Sequence, residues 1–342
     1  MARLFFMNDY NCGCAPEILA RLTKENLTPH VGYGSDEITK EAAQKILDAA
    51  GVPEGGVYFA AGGTQANSIV ISHFLKTYQG VICAQTGHIN CHEAGAIEAM
   101  GHKVLTLPEK DKVSAAALET YLKAFYEDES YTAMVQPGMV YISNPTEVGT
   151  LYNKEELTDI SAACYELGLY LFVDGARMAY GLTSPANDLS LQDYAALCDV
   201  FYLGGTKCGA LFGEAVVFTK GNTPKHFLTQ IKQHGALLAK GWLLGLQFGT
   251  LFTDDLYLRI AANANRQADR IREALRERGY TLTFEAPTNQ VFVTLDHPTI
   301  ERLQAHVRMG FMEKADNEHT VMRLCTSWAT TDEQVDQLIA LL

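Results

Sequence analysis

Apolar residues fall into short runs bounded by polar turns through the first two thirds of the chain. Runs at 57–60, 81–84, 103–107, 139–143, 170–174, 200–203 and 215–219 read as strands. Several are continuously apolar, the pattern of strands covered on both faces. Between most of them, apolar positions recur at helical spacing, at 65–77, 92–100, 114–127 and 154–167. Such alternation predicts an α/β fold with a mainly parallel, seven-stranded sheet and right-handed crossovers.

The last third changes character. A long polar helix is predicted at 256–278, with Glu and Arg mixed on one face and Gly279 as its stop. Strands follow at 290–295 and 320–325, with a helix expected at 298–309 and another at 332–342. These form a smaller α+β unit. The join falls between Trp242 and Asp254, in helical sequence rather than a Pro/Gly linker. The expected division is a large unit with an N-terminal arm over 1–247 and a small unit over 248–342, rigidly joined.

Composition narrows the partners. The 342 residues carry 27 Lys and Arg against 40 Asp and Glu, a formal charge of −13. That balance argues against a broad nucleic-acid surface but not against one pocket for one phosphate. Residues 1–10 hold too short an apolar run for a secretory signal. The longest apolar stretch, 236–252, is broken by Lys240 and Gln247 and falls short of the ~20 residues of a membrane span. A cytoplasmic protein with no membrane partner is expected. Eight cysteines are scattered, and Cys12-Gly13-Cys14 lacks a second pair at zinc spacing, so no metal is expected.

Ligands of open α/β sheets bind at the carboxyl ends of the strands. After the first run comes Ala61-Gly62-Gly63-Thr64-Gln65-Ala66-Asn67, opening a helix. Its glycines admit close backbone approach, the helix start offers free N–H groups to an anion, and Thr64 is placed at the N-cap. A plain capped turn is the alternative. After the second run, His88 and His92 stand four apart. They read either as metal ligands or as one ligand-facing His and one helix residue, and the zinc-protease order His-Glu-x-x-His is absent. Asp174 ends a buried strand, where a carboxylate needs a cationic partner. That partner is either Arg177, three residues on, or a bound cation such as a protonated pyridine nitrogen. Lys207 lies between Gly-Gly-Thr206 and Cys-Gly beside a core strand. Burial there lowers an amine's pKa and suits it to Schiff-base chemistry. Together these are the parts needed to hold pyridoxal phosphate by its phosphate, ring face, ring nitrogen and aldehyde carbon.

In this combination the chain resembles the threonine aldolase/β-eliminating lyase family of fold type I pyridoxal-phosphate enzymes, and within it the low-specificity L-threonine aldolases. The resemblance rests on Val31-Gly32-Tyr33-Gly34, Gly63-Thr64-Gln65-Ala66-Asn67, His88 with Glu93-Ala94-Gly95-Ala96, Val173-Asp174-Gly175-Ala176-Arg177, Thr206-Lys207 and Met322-Arg323-Leu324, and it spans about 8–342. It implies retro-aldol cleavage of a threonine-type amino acid to glycine and an aldehyde, with β-elimination or aminotransfer as alternatives. A cofactor-binding protein without catalysis is the reading from a different class. The resemblance implies Lys207 as the covalent anchor of pyridoxal phosphate, Asp174 at the ring nitrogen and His88 on the ring face. Gly63, Thr64, Gln65 and Thr206 would belong to the cofactor-binding set. Arg177 and Arg323 would lie near the substrate carboxylate. It implies a homodimer or homotetramer with shared sites, Tyr33 reaching a neighbour's site and Lys240 a neighbour's phosphate. Two segments depart from the family pattern. Met7-Asn8-Asp9-Tyr10 stands where those aldolases carry Arg-Ser-Asp-Thr, so Asn8 takes the place of the serine. Ser143-Asn144-Pro145-Thr146-Glu147 stands where they carry a substrate-facing His, with Thr146 or Glu147 nearest that position.

Overall fold

The computed structural model describes residues 3–342. Strand β1 (Leu4–Phe6) opens the described chain. Seven strands then build the large sheet: β2 (Gly56–Ala60), β3 (Gln79–Cys83), β4 (Val104–Thr106), β5 (Gln136–Ser143), β6 (Tyr170–Asp174), β7 (Val200–Gly204) and β8 (Glu214–Phe218). Their order is β2-β8-β7-β6-β5-β3-β4. All seven runs expected from the sequence are present, within a few residues at their ends. Every residue of β7 and β8 is buried, as both faces are covered by helices.

One strand breaks the parallel arrangement. β8 runs antiparallel to both neighbours, β2 and β7. Its first residue, Glu214, therefore pairs with the last residue of β2, Ala60, and the last of β7, Gly204. The start of β8 and the carboxyl ends of the parallel strands meet on one edge of the sheet.

Two glycines draw that edge tight. A Cβ on Gly175 would lie 1.9 Å from the Tyr202 carbonyl oxygen, and one on Gly204 would lie 2.2 Å from the Ala176 carbonyl oxygen. Only glycine allows the segments after β6 and at the end of β7 to touch there. This contact brings the segment after Asp174 against the one leading to Lys207.

The second sheet runs β1-β11-β12-β10-β9, with β9 (Thr281–Leu282), β10 (Gln290–Asp296), β11 (Val307–Lys314) and β12 (His319–Cys325). β1 joins β11 in parallel, while the other pairs are antiparallel. The helix Leu256–Glu277 lays Ala268, Ile271 and Leu275 on this sheet against Val291, Val293, Met322 and Leu324. So the N-terminal arm, grouped by sequence with the large unit, gives its first strand to the smaller sheet.

Three local expectations are corrected. The helix expected at 298–309 ends at Gln304, and β11 begins at Val307. The segment 92–100 is not one helix: short turns at His88–Cys91 and Ala96–Ala99 are separated by Gly95, whose φ is 71°. The N-cap of helix Gly63–Phe74 is Gly62, not Thr64, which lies in the first turn. Among the described residues, no helix is long and apolar enough to cross a membrane.

Candidate active site

The carboxyl ends of β2, β5, β6 and β7, with the start of β8, surround a cavity of about 290 Å³. Gly63, Thr64, His88, Thr146, Glu147, Asp174, Arg177, Thr206 and Lys207 all line it, so most of the sequence-predicted residues come together.

Asp174 is 4% exposed and held by four donors. Its Oδ1 accepts from the Tyr202 hydroxyl at 2.5 Å and the Ala176 N–H at 2.9 Å. Its Oδ2 accepts from the Tyr141 hydroxyl at 2.5 Å and the Asn67 amide at 3.2 Å. Burial alone would raise its pKa. The adjacent His88 and these hydrogen bonds outweigh burial and hold the carboxyl below its ordinary value. Asp174 is thus a fixed anion on the cavity floor. Arg177, its candidate partner in sequence, turns instead to Asp9, at 2.7 and 3.1 Å. Burial would lift Asp9, but that guanidinium holds it down at about 2.

Lys207 faces the cavity, and among the described residues its amine enters no ion pair. Burial, then the nearby Arg177 charge, lowers its pKa against the pull of Asp9, Asp174 and Glu214. A larger share of free amine, the nucleophilic form, follows.

His88 is oriented from behind. Its Nδ1 lies 2.7 Å from Glu93 Oε1, which also accepts from the Asn67 amide at 2.7 Å. Asn67 thereby links the histidine's carboxylate to Asp174. With Nδ1–H given to Glu93, Nε2 is left for a ligand. Its neighbour His92 is exposed, and no group of three or more metal-ligating side chains occurs among the described residues. The metal alternative for this pair therefore has no donor set.

The anion cradle is the start of helix Gly63–Phe74. Its N-cap Gly62 offers no side chain, so first-turn N–H groups open onto the cavity. Gln65 does not line the cavity. Its Oε1 accepts the Ala61 N–H at 2.9 Å and fixes the loop.

Thr146 and Glu147, the two residues expected nearest a substrate, both line the cavity. Glu147 is held in place there. Its Oε1 accepts from the Ser143 hydroxyl at 2.6 Å and the His88 N–H at 3.0 Å. Burial raises its pKa, and the Asp174 charge adds to this, against the Ser143 hydrogen bond and His88.

Besides Gln65, four predicted residues lie outside the cavity. Asn8 accepts the N–H of Tyr10, and Tyr10 itself lines the site. Arg323 donates to Gln290 Oε1 at 3.0 Å and to the Met7 carbonyl at 3.2 Å, so it braces the arm. Tyr33 and Lys240 lie together on another face, where the Tyr33 N–H donates to the Ala239 carbonyl at 3.1 Å.

The sequence reading missed Asp9, Tyr141, Tyr202 and Glu214. Tyr141 and Tyr202 sit inside apolar strand runs and read there as core. Glu214 begins a strand, whereas ligands of such sheets are expected at the carboxyl ends of strands. A lone acidic residue opening an apolar run was its one available signal.

The residues present fit a phosphate-bearing aromatic aldehyde: an uncapped helix start for the phosphate, an unpaired amine for the aldehyde and a fixed carboxylate for a ring nitrogen. Fold and site together define a fold type I pyridoxal-phosphate enzyme.

Comparison with known proteins agrees. The sequence model of the β-eliminating lyase family matches residues 11–298. A low-specificity L-threonine aldolase of Pseudomonas aeruginosa is 33% identical, over 97% of this chain and 95% of its own. The solved threonine aldolase of Leishmania major is 44% identical, over 98% of each chain, with a TM-score of 0.95. A serine palmitoyltransferase of Sphingomonas wittichii, at 14% identity and a TM-score of 0.73 over 99% of this chain and 86% of its own, shares the fold alone. The chain belongs to the β-eliminating lyase family, in its threonine aldolase group.

Proposed function

We propose that this enzyme cleaves β-hydroxy-α-amino acids of the threonine type to glycine and an aldehyde, with pyridoxal phosphate as cofactor. The observation that supports it most is the convergence of an unpaired Lys207 amine and an ionised Asp174 on one cavity. The chain is also alike over nearly its whole length to threonine aldolases of other organisms.

The cofactor, when bound, supplies a carbonyl that condenses with amines and a ring that accepts the electron pair released from Cα. The protein's own groups do the rest. Lys207 would hold the cofactor through its amine, the group a substrate amine can displace. Asp174 would favour a proton on a ring nitrogen held against it, which would strengthen the electron sink. Arg177, already fixed by Asp9, offers a cation to a substrate carboxylate. Glu147, with Oε1 occupied by Ser143 and His88, has Oε2 to take the β-hydroxyl proton as the carbon–carbon bond breaks. His88 Nε2 is the second group able to move that proton.

Purified enzyme given L-threonine, L-allo-threonine and L-cysteine should release acetaldehyde and glycine from the first two. Pyruvate as the main product would assign the protein to β-elimination instead. Glu147→Gln should lower kcat on L-threonine by roughly 10²-fold. A base works ionised, so wild-type activity should rise with pH through the elevated Glu147 pKa, and the variant should lose this acid limb. A variant with an unchanged pH–rate profile would transfer the role to His88.

We extend the proposal to a cytoplasmic homo-oligomer with shared sites. Exposed Val31 and Tyr33, beside Lys240 and away from the chain's own cavity, support the oligomer.

A further inference from the structure

We propose that Glu214 is the proton holder of the anion cradle: the enzyme binds its phosphate-bearing cofactor together with a proton on the Glu214 carboxyl. This rests on the cofactor assignment above and deepens it.

The topology puts Glu214 there. As first residue of antiparallel β8, it pairs with Ala60, just before the Gly62-Gly63-Thr64 cradle, and with Gly204, just before Thr206-Lys207. Glu214 is 4% exposed and lines the same cavity as both segments. Its Oε1 accepts from the Thr206 hydroxyl at 2.8 Å, and its Oε2 accepts from the Gly205 N–H at 3.2 Å. Among the described residues it has no ion-pair partner. The charged groups facing it are Lys207, from the segment after β7, and Asp174, from β6. The titratable hydroxyls of Tyr202 on β7 and Tyr257 on helix Leu256–Glu277, both held protonated by burial, lie near it. The first turn of helix Gly63–Phe74 brings no charge, and helix Trp242–Leu251 brings Leu244 and Phe248 against the adjoining Gly213.

A phosphate dianion in this cradle would meet that carboxylate in a poorly screened cavity. Hydroxyl bookkeeping points the same way. The Thr206 oxygen already accepts the Gly213 N–H at 3.0 Å, and its single hydrogen goes to Glu214. While Glu214 is ionised, Thr206 has no hydrogen for the anion. Once Glu214 is protonated, the carboxyl donates to Thr206, and Thr206 turns its hydrogen to the phosphate. One proton taken from water balances the step, and no bond other than O–H is made. Burial already raises the Glu214 pKa to about 8. An adjoining dianion raises it further, so affinity is full below the free-state pKa and falls as pH rises above it.

The test compares binding of pyridoxal phosphate and of pyridoxal, which lacks the phosphate, to apoprotein. Dissociation constants are read from the visible band and from quenching of protein fluorescence at pH values on both sides of 8. Both ligands share the Lys207 chemistry, so their affinity ratio isolates the phosphate. In wild type this ratio should fall by up to about tenfold per pH unit above the Glu214 pKa. In Glu214→Gln it should stay flat. A flat wild-type ratio, or an equal fall in the variant, overturns the proposal. Calorimetry of wild type in two buffers of different ionisation enthalpy needs no variant. Near that pH it should show net proton uptake on pyridoxal phosphate binding beyond that seen with pyridoxal, and no excess overturns the proposal. If neither ligand binds, the cofactor assignment itself falls and this proposal with it.

Discussion

Lys207→Ala should fold normally, bind pyridoxal phosphate only reversibly and lose at least roughly 10⁴-fold in kcat on L-threonine. Lys207 is the one cavity-lining lysine, and its amine faces no carboxylate closely enough to be neutralised. Such an amine is costly to bury and useful only for its reactivity. Stability and activity should therefore move in opposite directions. Removing a buried, unpaired amine relieves a desolvation cost, so the variant's thermal midpoint should equal or exceed that of wild type. Borohydride reduction of wild-type holoenzyme, followed by peptide mass analysis, should place the fixed cofactor on Lys207. Wild-type turnover by the alanine variant, or attachment at another lysine, would remove Lys207 from the mechanism.

Asp174 is the opposite case, a functional group that also stabilises. Its carboxylate satisfies two buried tyrosine hydroxyls, the Asn67 amide and the Ala176 N–H. Asp174→Ala orphans these donors at about 1–3 kcal/mol for each left unpaired, partly relieved by rearrangement. A net loss of about 3 kcal/mol or more is expected in urea unfolding. Asp174→Asn keeps the shape and loses the charge, so its stability should drop less. Its kcat should still fall by roughly 10²–10³-fold, the scale for a preorganised electrostatic group. Because the folded pKa lies below the ordinary carboxylate value, Asp174's ionic contribution is complete above ~3.9 and fades as pH falls through the folded value. Wild type should lose that increment on acidification, and Asp174→Asn should not. An asparagine variant with near-wild-type kcat would deny Asp174 its role at the ring.

The parts of the site that alternation exposes are those at the ends of parallel strands. Asp174 and the cradle before helix Gly63–Phe74 were legible because a charge or a glycine pair interrupts an apolar run at a known place. Lys207 was legible for the same reason. Tyr141 and Tyr202 were not, since an aromatic hydroxyl inside a buried strand has the sequence signature of core packing. Glu214 escaped because strand direction is a tertiary property, and periodicity is the same for a strand read up or down. Arg177 shows the limit of nearness along the chain: Asp174 is three residues away, yet its ion-pair partner is Asp9, 168 residues back. In the small unit, the helix expected to reach Met309 stops at Gln304, because Val307–Lys314 satisfies its backbone by pairing with β12 and β1. Such partners are remote in sequence, and no local pattern names them.

The pairing of β1 with β11 gives the enzyme an order of assembly. Met7, whose carbonyl receives Arg323, is 316 residues from it, and Asn289, which also holds Asp9, lies 280 residues beyond that aspartate. A chain made from its amino end presents the arm long before its docking strand. Through most of synthesis Asp9 has no sheet to anchor it, and Arg177 has no fixed carboxylate to aim it. The large sheet can form on the nascent chain, while Arg177 at the cavity wall takes up its position only when β10 to β12 emerge and capture the first strand. The catalytic centre is thus completed by residues translated long before the strands that hold them.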